Sequence, residues 1–417
     1  MKILQINSTY QNGGSTGRIA FDLKQIMEKN RIESYMAYGV GAQSLVKDKV
    51  LLLQSKTELR ISQIKSRLLA HHGFYNVNAT NKLLSYIDEV KPDLLHLHNL
   101  HGYYVHCGML FDYIKSHHIP VVWTLHDCWA FTGWCAYFDY ASCDKWKTHC
   151  LNCPSKNDYP KAWITSRAKS NFDLKKNTFT GVDNLVLVTP SEWLSKLTRE
   201  SYLNEYPVKV INNGVDTKIF KPTANSLKKN LGIEGKKMIL AVAGGLEKRK
   251  GSEFLLKLPT MLHDDEVLVI LGIKKNQIGS LPKLRCIGIP YTNSVEDLAS
   301  IYSAADVFIN TTLEDNFPTT NLEAMACGTP VVTFNTGGSI EPVLDHETPI
   351  ISNNIIRTNV GGVVTKGDVT TLLVLAREYI KKDANILSTA CVEKINVYYN
   401  KDTQYDKYIK LYQDICS

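Results

Sequence analysis

The segment LEDNFPTTNLEAMACGTPVVTF, Leu313 to Phe334, places acids around a turn and a short helix, directly before an apolar strand. Pro318 suits a first helical turn, where a missing N–H removes no bond, and Gly328 followed by Pro330 marks the end. Thr319 and Thr320 lie in that first turn, where backbone N–H groups have no partner inside the helix and the macrodipole favours a phosphate. Glu323 falls one turn along the same face. A carboxylate there can accept two hydrogen bonds from a ribose diol, while the helix start, with Phe317 and Pro318 at its mouth, holds a diphosphate. Asp315, with Glu314 beside it, then faces whatever the phosphates carry. A nucleotide sugar fits this order of groups. The blander alternative is that Glu314 and Asp315 favour the helix dipole and Glu323 is solvated.

Three further clusters carry chemistry. In LEKRKGSEF, a loop entering a helix at Gly251 aims Lys250, with Arg249 as helper, at a leaving phosphate, where developing negative charge needs stabilising. Gly13 to Gly17, GGSTG, follow an apolar strand and precede a helix; they match neither a P-loop nor G-x-G-x-x-G, but permit close backbone approach to a diphosphate or sugar. His126 ends the strand VVWTL, with Asp127 next. His96, His98 and His101 alternate along LLHLHNLH, which fits a strand running into a loop, lining a cleft and packing, better than one metal-ligand face.

Ten cysteines are present, and Cys135, Cys143, Cys150 and Cys153 form C-x7-C-x6-C-x2-C. Four thiolates at this spacing predict a structural zinc that holds an insert with little core of its own; His149 is a substitute ligand and Cys128 a packed thiol. Trp129, Phe131, Trp134, Tyr137 and Phe138 serve either as stacking faces for sugar rings or as loop core.

The elements that must position these groups alternate. KILQIN, LLHLHN, VVWTLH and NLVLVTP read as strands between helical patterns, and after residue 222 the series restarts with MILAVAG, EVLVILG, LRCIGI, DVFIN and PVVTF. Such alternation predicts parallel sheets covered on both faces, hence two doubly wound Rossmann-like domains facing across a cleft, with ligands at the strands' carboxyl ends. Residues 1–212 are the acceptor-side domain with the Cys-rich insert at about 127–160, and 213–222 the interdomain segment. Residues 223–390 are the nucleotide-sugar domain, and 391–417 a C-terminal helix packing back on the first domain. The donor's base falls near CIGIPYTN, Cys286 to Asn293.

A length of 417 residues agrees with two domains, and 44% hydrophobic with 21% charged residues describes an ordinary folded chain. The net charge of +7 comes in short runs, so no nucleic-acid tail is indicated. The opening MKILQINSTYQNGG is too briefly apolar for a signal peptide, and no run reaches membrane-spanning length, which predicts a cytoplasmic protein.

EDNFPTTNLEAMACGTPVV resembles the acid–seven residues–acid signature of family 4 glycosyltransferases, retaining enzymes of the GT-B fold, with Asp315 where the family has Glu and Glu323 as the second acid. STYQNGGSTGRIA is similar to the family's Gly-rich first loop, TLHD to its His-bearing strand end and VINNGVDTKIF to its interdomain segment. EKRKG resembles its phosphate-contacting Lys-Gly and NTGGSIEPV its later Gly-Gly loop, all in order over residues 1 to about 365. The resemblance implies His126, Lys250 and Asp315 as catalytic residues. It implies donor contacts from Gly13, Gly14, Arg249, Lys250, Phe317, Pro318, Thr319, Thr320 and Glu323. The family's Arg near Gly244 and Gly245 is absent, and Arg249 or Lys248 replaces it. Also implied are a UDP- or GDP-linked donor, same-face displacement without a catalytic divalent metal, and surface polysaccharide or lipopolysaccharide assembly. The acceptor is then a glycan or polyprenyl-linked oligosaccharide, with peripheral contact at the inner membrane face. A nucleotide-sugar epimerase of the same fold, or a non-catalytic binder with a zinc-knuckle module, are the rival readings.

Overall fold

The computed structural model describes residues 1–11, 14–41, 49–163, 167–292 and 294–417. The chain divides into two compact units, Met1–Asn212 with Tyr405–Ser417, and Asn213–Gln404.

The first unit is built on a seven-stranded parallel sheet. Its strands are β1 (Lys2–Thr9), β2 (Glu33–Val40), β3 (Val50–Leu52), β4 (Leu94–Leu97), β5 (Val121–Thr124), β6 (Leu185–Thr189) and β7 (Val208–Val210), in the spatial order β3-β2-β1-β4-β5-β6-β7. Strands buried on both faces read as continuous apolar runs, and successive residues feed opposite cores. Leu4, Leu95 and Trp123 pack on one side. Ile3, Leu94 and Val122 pack on the other, against Leu23 and Met27 of the helix Gly14–Lys29 and Tyr405, Tyr408 and Tyr412 of the final helix, Lys401–Cys416. β1 breaks the apolar rule: Gln5 and Asn7 are polar and fully buried, and Ser8 is buried as well.

The second unit carries an eight-stranded sheet from β8 (Lys237–Val242), β9 (Glu266–Leu271), β10 (Cys286–Ile289), β11 (Val307–Asn310), β12 (Val331–Phe334), β13 (Ile350–Ser352), β14 (Ile355–Arg357) and β15 (Gly361–Val364). The order is β10-β9-β8-β11-β12-β15-β14-β13, parallel except for the edge pairs β13–β14 and β14–β15.

In each sheet the chain winds outward from a central strand and then crosses back to start the other half, between β1 and β4 and between β8 and β11. Loops at the carboxyl ends beside such a switch point diverge and leave room for a ligand. The loops after β1, β4 and β5 carry Gly14, His98 and His126; those after β8 and β11 carry Lys250 and Asp315.

Candidate functional site

In the second unit, β8 is followed by Gly244 and Gly245, both in the left-handed region, and by a single 3-10 turn, Lys248–Lys250. Gly251 closes that turn at φ +71°, and a Cβ there would lie 1.9 Å from the carbonyl oxygen of Thr311. The close approach lets the two loops lace together. Leu313 N–H donates to Arg249 O at 2.8 Å and Thr311 Oγ1 to Lys250 O at 3.1 Å. Lys250 Nζ thereby comes to 2.5 Å from Asp315 Oδ2, with Arg249 Nη1 at 3.9 Å from the same oxygen and donating to Glu314 O at 2.9 Å. The Asp315 carboxyl sits below its ordinary value: burial opposes this, and the Lys250 and Arg249 cations outweigh the burial.

A third loop, after β12, grips the same place. Gly338 N–H donates to Asp315 O at 3.1 Å, and Gly337 at φ +51° would set a Cβ 2.1 Å from that oxygen. Asn321 ties this loop to the helix Thr319–Ala326 by donating to Ser339 O at 2.9 Å, while its Oδ1 accepts from Asn310 Nδ2 at 2.8 Å. The helix starts after Pro318, which supplies no side-chain cap. Thr319, Thr320 and Glu323 are half-buried, and Glu323 Oε2 accepts the Tyr302 hydroxyl at 3.1 Å. Phe317 and Pro318 are buried, with the Phe317 ring in the core 6.0 Å from Tyr399, so a ligand at this mouth meets their backbone. The arrangement juxtaposes two cations, one carboxylate and an uncapped helix start, the equipment for a diphosphate.

In the first unit, Gly14 opens its helix at φ +86°, with nothing within 4 Å of a Cβ placed there; Gly13 lies outside the described residues. His126 is half-buried at the end of β5. Its Nε2 stands 3.1 Å from His98 Nδ1, and His98 Nε2 stands 3.1 Å from Gln5 Oε1. His96 makes a second line, from Tyr412 OH at 2.6 Å through its ring to Thr124 Oγ1 at 2.8 Å. Burial lowers the His126 value to about 4 and that of His96 to about 3, and holds His98 well below its usual range. His101 Nε2 bonds Asp127 Oδ2 at 2.6 Å and its Nδ1 the Tyr159 hydroxyl at 3.0 Å, joining the insert to the strand end. Sequence reasoning misses Gln5 and Tyr302; the signal for Gln5 is an amide, like Asn7, among the apolar residues of β1.

The insert departs from expectation. Cys135, Cys143, Cys150 and Cys153 do line one small pocket with Trp134, Phe138 and Trp146, yet among the described residues no group of three or more His, Cys, Asp or Glu is arranged to hold a metal. All four are free thiols; Cys135 and Cys153 share a hydrogen bond, and Cys150 Sγ accepts the Gly133 N–H at 3.2 Å. His149 pairs with Asp173 at 2.8 Å. Packing holds the insert. Trp129, Phe131 and Trp134 are buried as its core, and Lys175 Nζ donates to Trp129 O at 2.7 Å and Thr132 O at 3.1 Å beneath the Trp129 ring. Among the described residues no helix is long and apolar enough to cross a membrane.

Residues 224–356 match the family model for glycosyl transferases group 1, and residues 48–219 that for glycosyltransferase family 4. The putative colanic acid biosynthesis glycosyl transferase WcaC of Escherichia coli is 25% identical over 432 residues, spanning 100% of both chains. The sucrose-phosphate synthase of Thermosynechococcus elongatus superposes with a TM-score of 0.71 at 16% identity, over 100% of this chain and 99% of that one. Anabaena HepE in complex with UDP-glucose gives 0.65 at 16% identity, over 99% of this chain and 100% of that one.

Proposed function

The chain belongs to the family 4 glycosyltransferases of the GT-B fold, and on that premise we propose that it transfers a sugar from a UDP- or GDP-linked donor to a glycan or polyprenyl-linked acceptor, with retention, in surface polysaccharide assembly. The observation that carries the donor half is the Lys250–Asp315 pair at the β8/β11 switch point, beside the uncapped start of Thr319–Ala326. The diphosphate lies on that helix start, Glu323 takes the ribose diol, and Asp315 meets the sugar. As the bond from the anomeric carbon to the phosphate oxygen breaks, charge grows on that oxygen, and Lys250 with Arg249 stabilises it. The acceptor hydroxyl bonds to the anomeric carbon on the face the phosphate leaves, and its proton passes to the departing phosphate. For His126 the family resemblance supports a role in contacting sugar hydroxyls. The name of the colanic acid relative, matched along its whole length, supports the surface-polysaccharide context, where a lipid-linked acceptor brings the enzyme to the membrane face.

The test is thermal-shift screening of purified protein against UDP-, GDP- and ADP-sugars, then incubation of the stabilising donor with and without glycan acceptor, with anomeric coupling read by proton NMR. Acceptor-dependent product of unchanged configuration is expected. Conversion of the donor without acceptor would instead identify an epimerase, and an inverted product would remove retention.

A further inference from the structure

The helix Lys56–Leu69 is packed the wrong way round for an ordinary surface helix. It buries the small polar residues Ser62 and Ser66 against the first domain. Outward it turns Ile61, Ile64 and Leu68, which are 48%, 49% and 43% exposed. Their i, i+3, i+7 spacing puts them in one stripe along the solvent face. At 100° per residue, Arg60 and Lys65 fall on the two margins of that stripe, and Lys56 and Arg67 extend the Arg60 margin. Against these four cations the helix has one acid, Glu58, which is turned to its own N-cap through a capping box with Ser55. At the far end sits Trp163, 57% exposed, its backbone N–H donating to Arg67 O at 2.9 Å and its ring 5.9 Å from the Arg67 guanidinium.

We propose that this face, Ile61, Ile64 and Leu68 with the Arg60 and Lys65 margins and Trp163, docks the enzyme on an anionic lipid bilayer, the helix lying in the plane of the headgroups. Three features select that occupant. An apolar stripe with basic residues on both sides matches an interface that is apolar below and anionic at the headgroup level. An exposed indole at the stripe's end belongs at that boundary. A second copy of the chain suits the face poorly, because a two-fold contact would set the same cations against each other. The surface deepens the lipid-linked-acceptor reading and rests on it for its purpose, but its test does not depend on transfer.

Full-length protein is sedimented with vesicles of pure phosphatidylcholine and of 70:30 phosphatidylcholine to phosphatidylglycerol at about 0.1 M salt. Wild type is expected to partition onto the anionic vesicles about tenfold more strongly than onto the neutral ones. I61E/I64E/L68E and R60E/K65E are each expected to lose at least tenfold of that binding. Being on the exposed face, they keep the thermal-shift response to nucleotide sugar. Equal binding by the variants, no binding by wild type, or a wild-type dimer in light scattering that I61E/I64E/L68E dissolves would each overturn the docking face. Loss of the nucleotide-sugar response in wild type would fall on the donor reading alone.

Discussion

His98 Nδ1 stands 3.1 Å from His126 Nε2, and a glutamine on a neighbouring strand fixes which ring carries which proton. Gln5 Nε2 donates to Ala20 O at 3.1 Å, so the amide turns its oxygen to His98 Nε2, which must donate. A neutral His98 then has its lone pair on Nδ1, and His126 must donate to it from Nε2. The lone pair of His126 then sits on Nδ1, the tautomer whose Nδ1 can act as an acceptor. Replacing His98 by Leu removes the acceptor and lets the His126 proton move; kcat is expected to fall on the order of tenfold at unchanged donor KM. His98→Asn keeps an oxygen near the Nδ1 position and should retain most of the rate. A wild-type kcat in His98→Leu leaves the relay without a role.

The same burial makes the first domain sensitive to acid. His72, His96, His98 and His126 are all held below their ordinary value, burial first, with neighbouring histidine charges adding to it for His72, His96 and His98. Unfolded, each titrates near 6.5, so below that pH the unfolded chain binds more protons and stability falls as pH falls, down to about 4 for His126. Each group at full weight contributes about 1.4 kcal/mol per pH unit, and coupling within the cluster reduces the sum. Urea unfolding followed at pH 7 and pH 5 should show a loss of a few kcal/mol. A midpoint that does not move would mean the cluster is already protonated or open to water.

Much of this architecture is legible in the sequence, and the exceptions have physical causes. Runs such as MILAV carry no polar residue to hide, so strands buried on both faces read directly. Lys56–Leu69 was not legible, because the rule that apolar residues face inward is reversed there: Ser62 and Ser66 are inside and Ile61 and Ile64 outside. The site chemistry split likewise. Lys250 and Asp315 each stood out locally, but that they pair at 2.5 Å follows from β8 and β11 being neighbours, which spacing along the chain does not reveal. Tyr302, a buried aromatic on a helix, acquires meaning only through Glu323. A C-x2-C pair does not reveal its thiols' other partners, and here Cys153 shares a hydrogen bond with Cys135.

Lys175 should help to hold the insert. Its ammonium satisfies the carbonyls of Trp129 and Thr132 from a fully buried position. Lys175→Met keeps the stem and strands both acceptors, so a loss of about 2–4 kcal/mol in denaturant unfolding is expected. An unchanged midpoint would show that other contacts carry the insert. Adding chelator to wild type should leave the midpoint where it was.

Tyr302 positions Glu323 by donating to Oε2 at 3.1 Å from the helix Val295–Ala304. Tyr302→Phe removes that hydrogen bond to the carboxylate, and nucleotide-diphosphate affinity in calorimetry should drop by roughly three- to tenfold, about the worth of one hydrogen bond. Glu323→Ala should cost more, and the double variant no more than Glu323→Ala, since the tyrosine acts through the acid. Additive losses would show that Tyr302 reaches the nucleotide by itself.

The Lys250–Asp315 pair makes the strongest demand. With no donor present the carboxylate neutralises the ammonium at 2.5 Å and holds it beside the helix start; an arriving diphosphate supplies the competing anion. Because charge on the leaving oxygen peaks in the transition state, Lys250→Ala should lower kcat about a hundredfold, with a smaller change in donor affinity. It should also let the Asp315 carboxyl rise, since Lys250 is the leading cation against its burial. Gly251→Ala offers an independent route to the same loss. Its Cβ would meet Thr311 O at 1.9 Å, so the turn carrying Lys250 must shift while every charged side chain remains. If positioned charge is what matters, Gly251→Ala should approach the Lys250→Ala rate in a protein that still folds, at some cost in thermal stability. A Gly251→Ala enzyme at full speed would mean that the lacing of the two loops does not place the ammonium. Full speed in Lys250→Ala itself would take Lys250 out of the chemistry.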